Sequence, residues 1–194
     1  MRIPTVNPPG DAYETCARLL GERLRGRGFD VTYIRATGAP GDSDSHPRVN
    51  VIARKTGPRP GPCVHFNSHI DVVEAGSGWT FDPFGAELHE GRIYGRGTCD
   101  MKGFLAVCLA RVPDFVAAKL KRPIHLALSC DEEVGCRGVR PLVAHIRDHL
   151  PKPGAVIVGE PTSMKVVNGH KSALTFATEV TGLEGHSALT DRGV

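Results

Sequence analysis

Leucines, alanines and arginines follow helical spacing over residues 12–26, and Gly26 and Gly28 close the run, which predicts an amphipathic helix. Residues 3–11, ahead of it, are too rich in proline for helix and read as a loop. Residues 29–35 alternate like a strand. A loop of Gly, Pro, Asp and Ser at 38–47 separates them from a second strand at 49–53. After a turn-rich link at 55–62, Cys63-Val64-His65-Phe66-Asn67-Ser68 forms a buried strand that runs directly into His69. Residues 74–92 make a long excursion that holds the only tryptophan, Trp79. From 101 to about 120 the pattern predicts a helix, which Pro113 kinks or breaks. Strand 124–129, helix 139–150 and strand 155–158 follow. Strands alternating with helices define an α/β domain with a largely parallel central sheet.

The texture changes after Glu160. Residues 173–180 alternate like an antiparallel strand, and 182–185 make a turn before His186. A domain boundary is placed near Asn168-Gly169. Residues 1–168 form the first domain, and 169–194 are too few to bury a core of their own.

Candidate chemistry sits at the strand ends. His69 follows one apolar strand, Asp131-Glu132-Glu133 another and Glu160 a third, where α/β sheets gather their ligands. Asp100 lies in the glycine-flanked turn Gly95-Arg96-Gly97-Thr98-Cys99-Asp100-Met101-Lys102-Gly103, just ahead of a helix. Each residue alone has a plainer reading. His69 could be a hydrogen-bonded core histidine, Asp100 a helix cap, Glu132 and Glu133 a solvated acidic loop, and Glu160 an ordinary loop acid. Taken together, a histidine and several carboxylates at the ends of apolar strands describe a hydrolytic metal site. Asp71, two residues past His69, is placed to orient the imidazole. Two consecutive glutamates supply one ligand and one untethered proton shuttle.

Composition adds bounds. The chain has 194 residues, is 40% hydrophobic and 23% charged, and carries a net charge of +3, as a globular protein does. Its basic residues are scattered and no apolar stretch reaches the ~18–20 residues of a membrane span, so neither nucleic acid nor a membrane is an expected partner. Met1-Arg2-Ile3-Pro4 lacks the apolar core of a signal peptide. The six cysteines form no C-x-x-C pair and mostly adjoin apolar runs, as reduced thiols of a cytoplasmic protein would. Cys99 and Cys130 adjoin the site, which leaves a thiolate ligand open.

The motifs Asn67-Ser68-His69-Ile70-Asp71-Val72-Val73, Gly95 to Gly103 as written above, Asp131-Glu132-Glu133-Val134-Gly135, Gly159-Glu160-Pro161-Thr162-Ser163-Met164, Gly169-His170-Lys171 and Gly185-His186-Ser187 run in one order over nearly the whole chain. In this the chain resembles the di-zinc aminoacylase and carboxypeptidase G2 family. It is more similar to the branch that deacetylates amino acids than to the succinyl-diaminopimelate desuccinylases. The resemblance implies a three-layer α/β/α catalytic domain joined to an α+β satellite domain that dimerises. It implies two Zn2+ ions, with Co2+ or Mn2+ as substitutes. Asp100 would bridge them, His69 and Glu160 would complete one site, and Glu133 would bind the second ion. Glu132 would be general base and acid, Asp71 would orient His69, and His186 would reach a partner protomer's active site to stabilise the oxyanion. The implied reaction converts N-acetyl-L-ornithine to ornithine and acetate, a step of arginine biosynthesis. Another N-acyl amino acid, a succinylated substrate or a dipeptide are alternatives within the same mechanism. Family members take a last zinc ligand, a histidine, from much further along a longer chain. This sequence is therefore expected to be a fragment, and a non-catalytic remnant is the rival reading.

Overall fold

The computed structural model describes all of residues 1–194 except 170, 172, 173, 175, 180 and 194. They form two units, Met1–Pro161 and Thr162–Val194.

The first unit begins with an ordered loop that leads into helix α1 (Tyr13–Arg25). Strands β1 (Asp30–Arg35), β2 (Val49–Lys55) and β3 (Cys63–His69) follow, then a short hairpin of β4 (Glu87–His89) and β5 (Arg92–Tyr94). Helix α2 (Lys102–Ala117), strand β6 (Ile124–Ser129), helix α3 (Val139–His149) and strand β7 (Pro153–Val158) complete it. The main sheet has the order β1-β2-β6-β3-β7.

Alternation along the central strands sorts the core into two layers. Val51 and Ala53 of β2, with Ile124, Leu126 and Leu128 of β6, pack against α1 and α2 through Tyr13, Cys16, Leu20, Leu24, Leu105, Cys108 and Val112. Ile52 and Ala127 face the other way and meet Leu142 of α3, with Val139 and Ile146 beside it. This is a three-layer α/β/α arrangement. All six residues of β6 are buried, as expected for a strand covered on both faces.

Three expectations from sequence are corrected. The sheet is mixed rather than largely parallel: β1–β2 and β2–β6 pair antiparallel, β6–β3 and β3–β7 parallel. The reason is legible in the connection between β1 and β2, a loop without the crossover helix that a parallel pair requires. Helix α2 runs unbroken through Pro113, which sits on its exposed side. Anchoring Leu105, Cys108 and Val112 in the core outweighs the ~3 kcal/mol that an interior proline costs. The 74–92 excursion is not all loop. Glu90 (φ 48°) and Gly91 (φ 75°) form a two-residue turn that registers Leu88 opposite Ile93.

In the second unit, the strand expected at 173–180 falls partly on 173, 175 and 180, outside the described residues. Residues 174 and 176–179 carry no regular structure, since alternation alone makes no ladder without a partner strand. His170, part of a family-like motif, also lies outside the described residues. The regular element described there is a 3-10 turn, Thr190–Arg192. Within this unit His186 is exposed, and its Nδ1 accepts the Ala188 N–H at 3.2 Å. No helix among the described residues is long and apolar enough to cross a membrane.

Candidate metal centre

Strands β6, β3 and β7 run parallel and adjacent, so their carboxyl ends open on one rim of the sheet. His69 is the last residue of β3, opposite Ser129 of β6. Asp131, Glu132 and Glu133 follow β6, and Glu160 follows β7 after Gly159. Gly159 is required there, because a Cβ would lie 2.0 Å from the Phe104 ring of α2. Asp100 arrives from the turn ahead of α2. That turn folds tightly enough for Gly103 N–H to reach the Gly97 carbonyl at 3.0 Å, and a Cβ on Gly103 would strike the Thr98 carbonyl oxygen.

These elements converge on the imidazole of His69, which is 1% exposed. Its Nε2 stands 3.0 Å from Asp100 Oδ1, 3.9 Å from Glu160 Oε1 and 4.0 Å from Glu132 Oε2. Its Nδ1 lies 2.9 Å from the carbonyl oxygen of Asp71. The Asp71 carboxylate stands slightly farther off, with Oδ1 at 3.6 Å. Its other oxygen, Oδ2, accepts the backbone N–H of Glu133 at 3.0 Å. Asp71, fully buried, thus braces the end of β3 and the loop after β6 at once.

Burial opposes charge on His69, but Asp71, Asp100 and Glu160 outweigh it and lift the imidazole to about 9. Burial raises the carboxyl of Glu133, as does the nearby Asp100. Burial likewise raises Glu160, where the field of Asp100 and Glu132 adds to it. Carboxylates crowded around one imidazole are a cluster that a cation would relieve. Ligand atoms of His69, Asp100 and Glu160 all lie within 4.8 Å of one another, the group among the described residues able to hold a metal ion. One imidazole nitrogen and two carboxylate oxygens form a donor set that suits Zn2+ and is not selective against other divalent first-row ions. Glu133 stands outside that trio but lines the same cleft as Asp100, a space of about 680 Å³ walled also by Val73, Trp79, Ile93 and Tyr94. Cys99 borders this cleft as well. Cys130 is turned inward, with its Sγ 3.5 Å from Asn50 Oδ1 and its thiol pushed up by burial, which does not favour a thiolate ligand.

Sequence reasoning missed the supports. Asp131 is fully buried, where its Oδ1 meets Arg48 Nε at 3.1 Å, Tyr13 Oη at 3.1 Å and Asn7 Nδ2 at 3.0 Å. Arg96, within the glycine-flanked motif, donates to the Glu74 and Ala75 carbonyls and lies 5.3 Å from the centre of the Trp79 ring, which fastens the excursion over the cleft. The proline-rich start, read as a loop, is pinned beside the site by Asn7 N–H to the Val72 carbonyl (2.9 Å) and Val72 N–H to the Thr5 carbonyl (3.0 Å). No local signal marks the Arg48–Asp131 pair, since the burial of Arg48 is a property of the fold and its nearby acidic residues in sequence are Asp42 and Asp44.

Comparison with known proteins agrees with this geometry. Residues 65–189 match the family described as Peptidase family M20/M25/M40. An acetylornithine deacetylase of Yersinia pseudotuberculosis is 41% identical over 127 residues, which are 65% of this chain and 32% of that protein. One of Erwinia tasmaniensis is 35% identical over 182 residues, 93% of this chain and 45% of that protein. The chain therefore spans 32% to 45% of the length of these relatives. Among solved structures, human carnosine dipeptidase 1 aligns with a TM-score of 0.68 at 23% identity, covering 81% of this chain and 36% of that one. An M20 family metallo-carboxypeptidase of Sulfolobus solfataricus aligns at 0.67 and 23%, covering 81% and 35%. These two likenesses speak for the fold.

Proposed function

The chain belongs to peptidase family M20/M25/M40, and from that premise we propose that it forms the metal-binding part of an amidohydrolase that releases acetate from N-acetyl-L-ornithine. The observation that carries this reading is the trio of His69, Asp100 and Glu160 at the carboxyl rim, with Glu132 also 4.0 Å from His69. The relatives named acetylornithine deacetylase support the substrate.

In this proposal Asp100 with His69 and Glu160 would hold one zinc ion, and Asp100 with Glu133 would serve a second, together with a histidine from the rest of the intact protein. Such a pair of cations would polarise the amide carbonyl and acidify the attacking water. The chain's own residues do the rest. Glu132, partly exposed and with its Oε2 4.0 Å from His69 Nε2, takes a proton from water as the oxygen adds to the acyl carbon. It then delivers that proton to the departing nitrogen, so the C–N bond breaks to a free amine and a carboxylic acid, which gives water's second proton to solvent and leaves as carboxylate. Asp71 holds His69 in register from behind. His186 would assist the oxyanion of a partner protomer in a cytoplasmic homodimer. Residues 1–168 are assigned to the catalytic domain and 169–194 to the start of the satellite domain.

The test separates ligand from base. Glu132→Ala is expected to keep bound zinc while kcat of the intact protein falls roughly 10²–10⁴-fold. Asp100→Ala is expected to lose the metal. Equal loss of metal from both variants would overturn the division of roles, and a substrate panel with no preference for N-acetyl-L-ornithine would overturn the substrate.

A further inference from the structure

A second pocket lies behind the loop that carries Glu132 and Glu133. It encloses about 560 Å³ between the segment after β1 and the turn that leads into α3. Arg35, Arg137 and Arg140 line it, together with Pro40 and Pro141, and none of its lining residues is acidic. Arg35 is already held by Asp42 at 3.0 Å and Asp44 at 3.1 Å. Arg137 and Arg140 are exposed and make no ion pair among the described residues.

Their position runs against helix electrostatics. Arg137 and Arg140 are three residues apart at the N-terminal end of α3, an 11-residue helix whose first turn holds no acidic residue. That end of a helix carries partial positive charge, so cations are disfavoured there, and Arg137 stands just ahead of the N-cap Gly138 while Arg140 sits in the first turn. No contact within the described chain offsets the arrangement. A local rule broken without internal compensation points to function.

We propose that this pocket binds a small phosphate-bearing anion. Planar guanidinium forks match phosphate oxygens two at a time. The helix N-terminus adds attraction of the same sign, and the two prolines give the ligand an apolar wall. The site is separate from the cleft beside Asp100, yet connected to the candidate base. Gly135 and Cys136 N–H groups donate to the Glu132 carbonyl at 2.9 and 3.2 Å, and Arg137 N–H donates to the Asp131 carbonyl at 3.2 Å. An anion clamped by Arg137 and Arg140 would therefore stiffen the loop that presents Glu132.

The experiment is calorimetric titration of the chain, stripped of metal by a chelator and dialysed, with orthophosphate, pyrophosphate and adenosine diphosphate in turn. Metal-free protein removes any contribution from anions bound to zinc. Saturable one-to-one binding of at least one probe is expected, and the tightest identifies the size of the natural anion. Arg137→Ala with Arg140→Ala is expected to weaken that probe roughly 10–100-fold. Arg59→Ala, an exposed arginine elsewhere, is expected to leave it unchanged. Both pocket arginines are exposed and disfavoured by the helix dipole, so the double variant should keep or slightly raise the wild-type unfolding temperature, which the same samples report. No saturable binding of any probe, or equal affinity in the double variant and wild type, would overturn the proposal.

Discussion

Replacing Asp71 by Ala removes a residue that lies behind His69 rather than among the trio around its Nε2, and so isolates the value of bracing the site. The carboxylate accepts the Glu133 N–H at 3.0 Å and stands 3.6 Å from His69 Nδ1, with both side chains buried. Truncation leaves the part-buried Glu133 N–H without its acceptor, a loss at the lower end of the about 1–3 kcal/mol that an unsatisfied buried donor costs. It also removes the buried negative charge that helps hold His69 well above its ordinary pKa. If His69 ligates zinc, the lost brace should lower affinity about 10–100-fold, or about 1.4–2.7 kcal/mol. The assay is competition for Zn2+ against a chromophoric chelator at pH 7.5, with urea unfolding of the metal-free variant alongside. Asp71→Asn, which can still accept the Glu133 N–H, should recover most of the stability and only part of the affinity. A folded Asp71→Ala variant with wild-type zinc affinity would refute the reasoning.

Three further outcomes are expected. Arg48→Ala removes the counter-charge of the buried Asp131 carboxylate, which keeps its Tyr13 and Asn7 hydrogen bonds, and should cost about 3 kcal/mol in urea unfolding, with little loss if the pair is only incidental. Gly159→Ala drives a Cβ into Phe104 and should cost about 1–3 kcal/mol while weakening zinc binding through Glu160, which a chelator competition would read. His125 is fully buried on β6, and burial, with His65 and Arg54 nearby, depresses it to about 4. A base whose folded pKa lies below its unfolded value of about 6.5 contributes full stability above that pH and loses it as pH falls toward 4, about 3 kcal/mol in all. Unfolding free energies at pH 7 and 4.5 should therefore converge in His125→Gln relative to wild type, and parallel pH slopes would exclude His125 as the cause.

The sequence carried the strand-end chemistry because β3, β6 and β7 are short apolar runs, and the residue after an apolar run in an α/β chain falls on the ligand-bearing rim. His69, Asp131 to Glu133 and Glu160 could be placed on that rim without coordinates. Sheet direction was less accessible, since it depends on which strands become neighbours and on the missing crossover between β1 and β2. The β4–β5 hairpin was hidden by its three-residue strands, although the Glu90-Gly91 pair marked its turn. Pro113 was misread for an energetic reason: a local penalty was weighed without the three core anchors that oppose it. The bracing network around Asp131 was invisible because its members come from positions 7, 13, 48 and 131, and no local pattern links them.

That network also has a meaning in time. Asn7 and Asp131 are separated by 124 residues, and Tyr13 and Asp131 by 118, so the contacts that fix the loop bearing Glu132 close nearly the longest span of the first unit. Contacts of such separation carry the greatest loop-closure entropy and form late. During synthesis the opening segment must wait until β6 has left the ribosome before its partner exists. Refolding should accordingly regain secondary structure first and zinc affinity last, and a chain lacking residues 1–11 should recover the former without the latter.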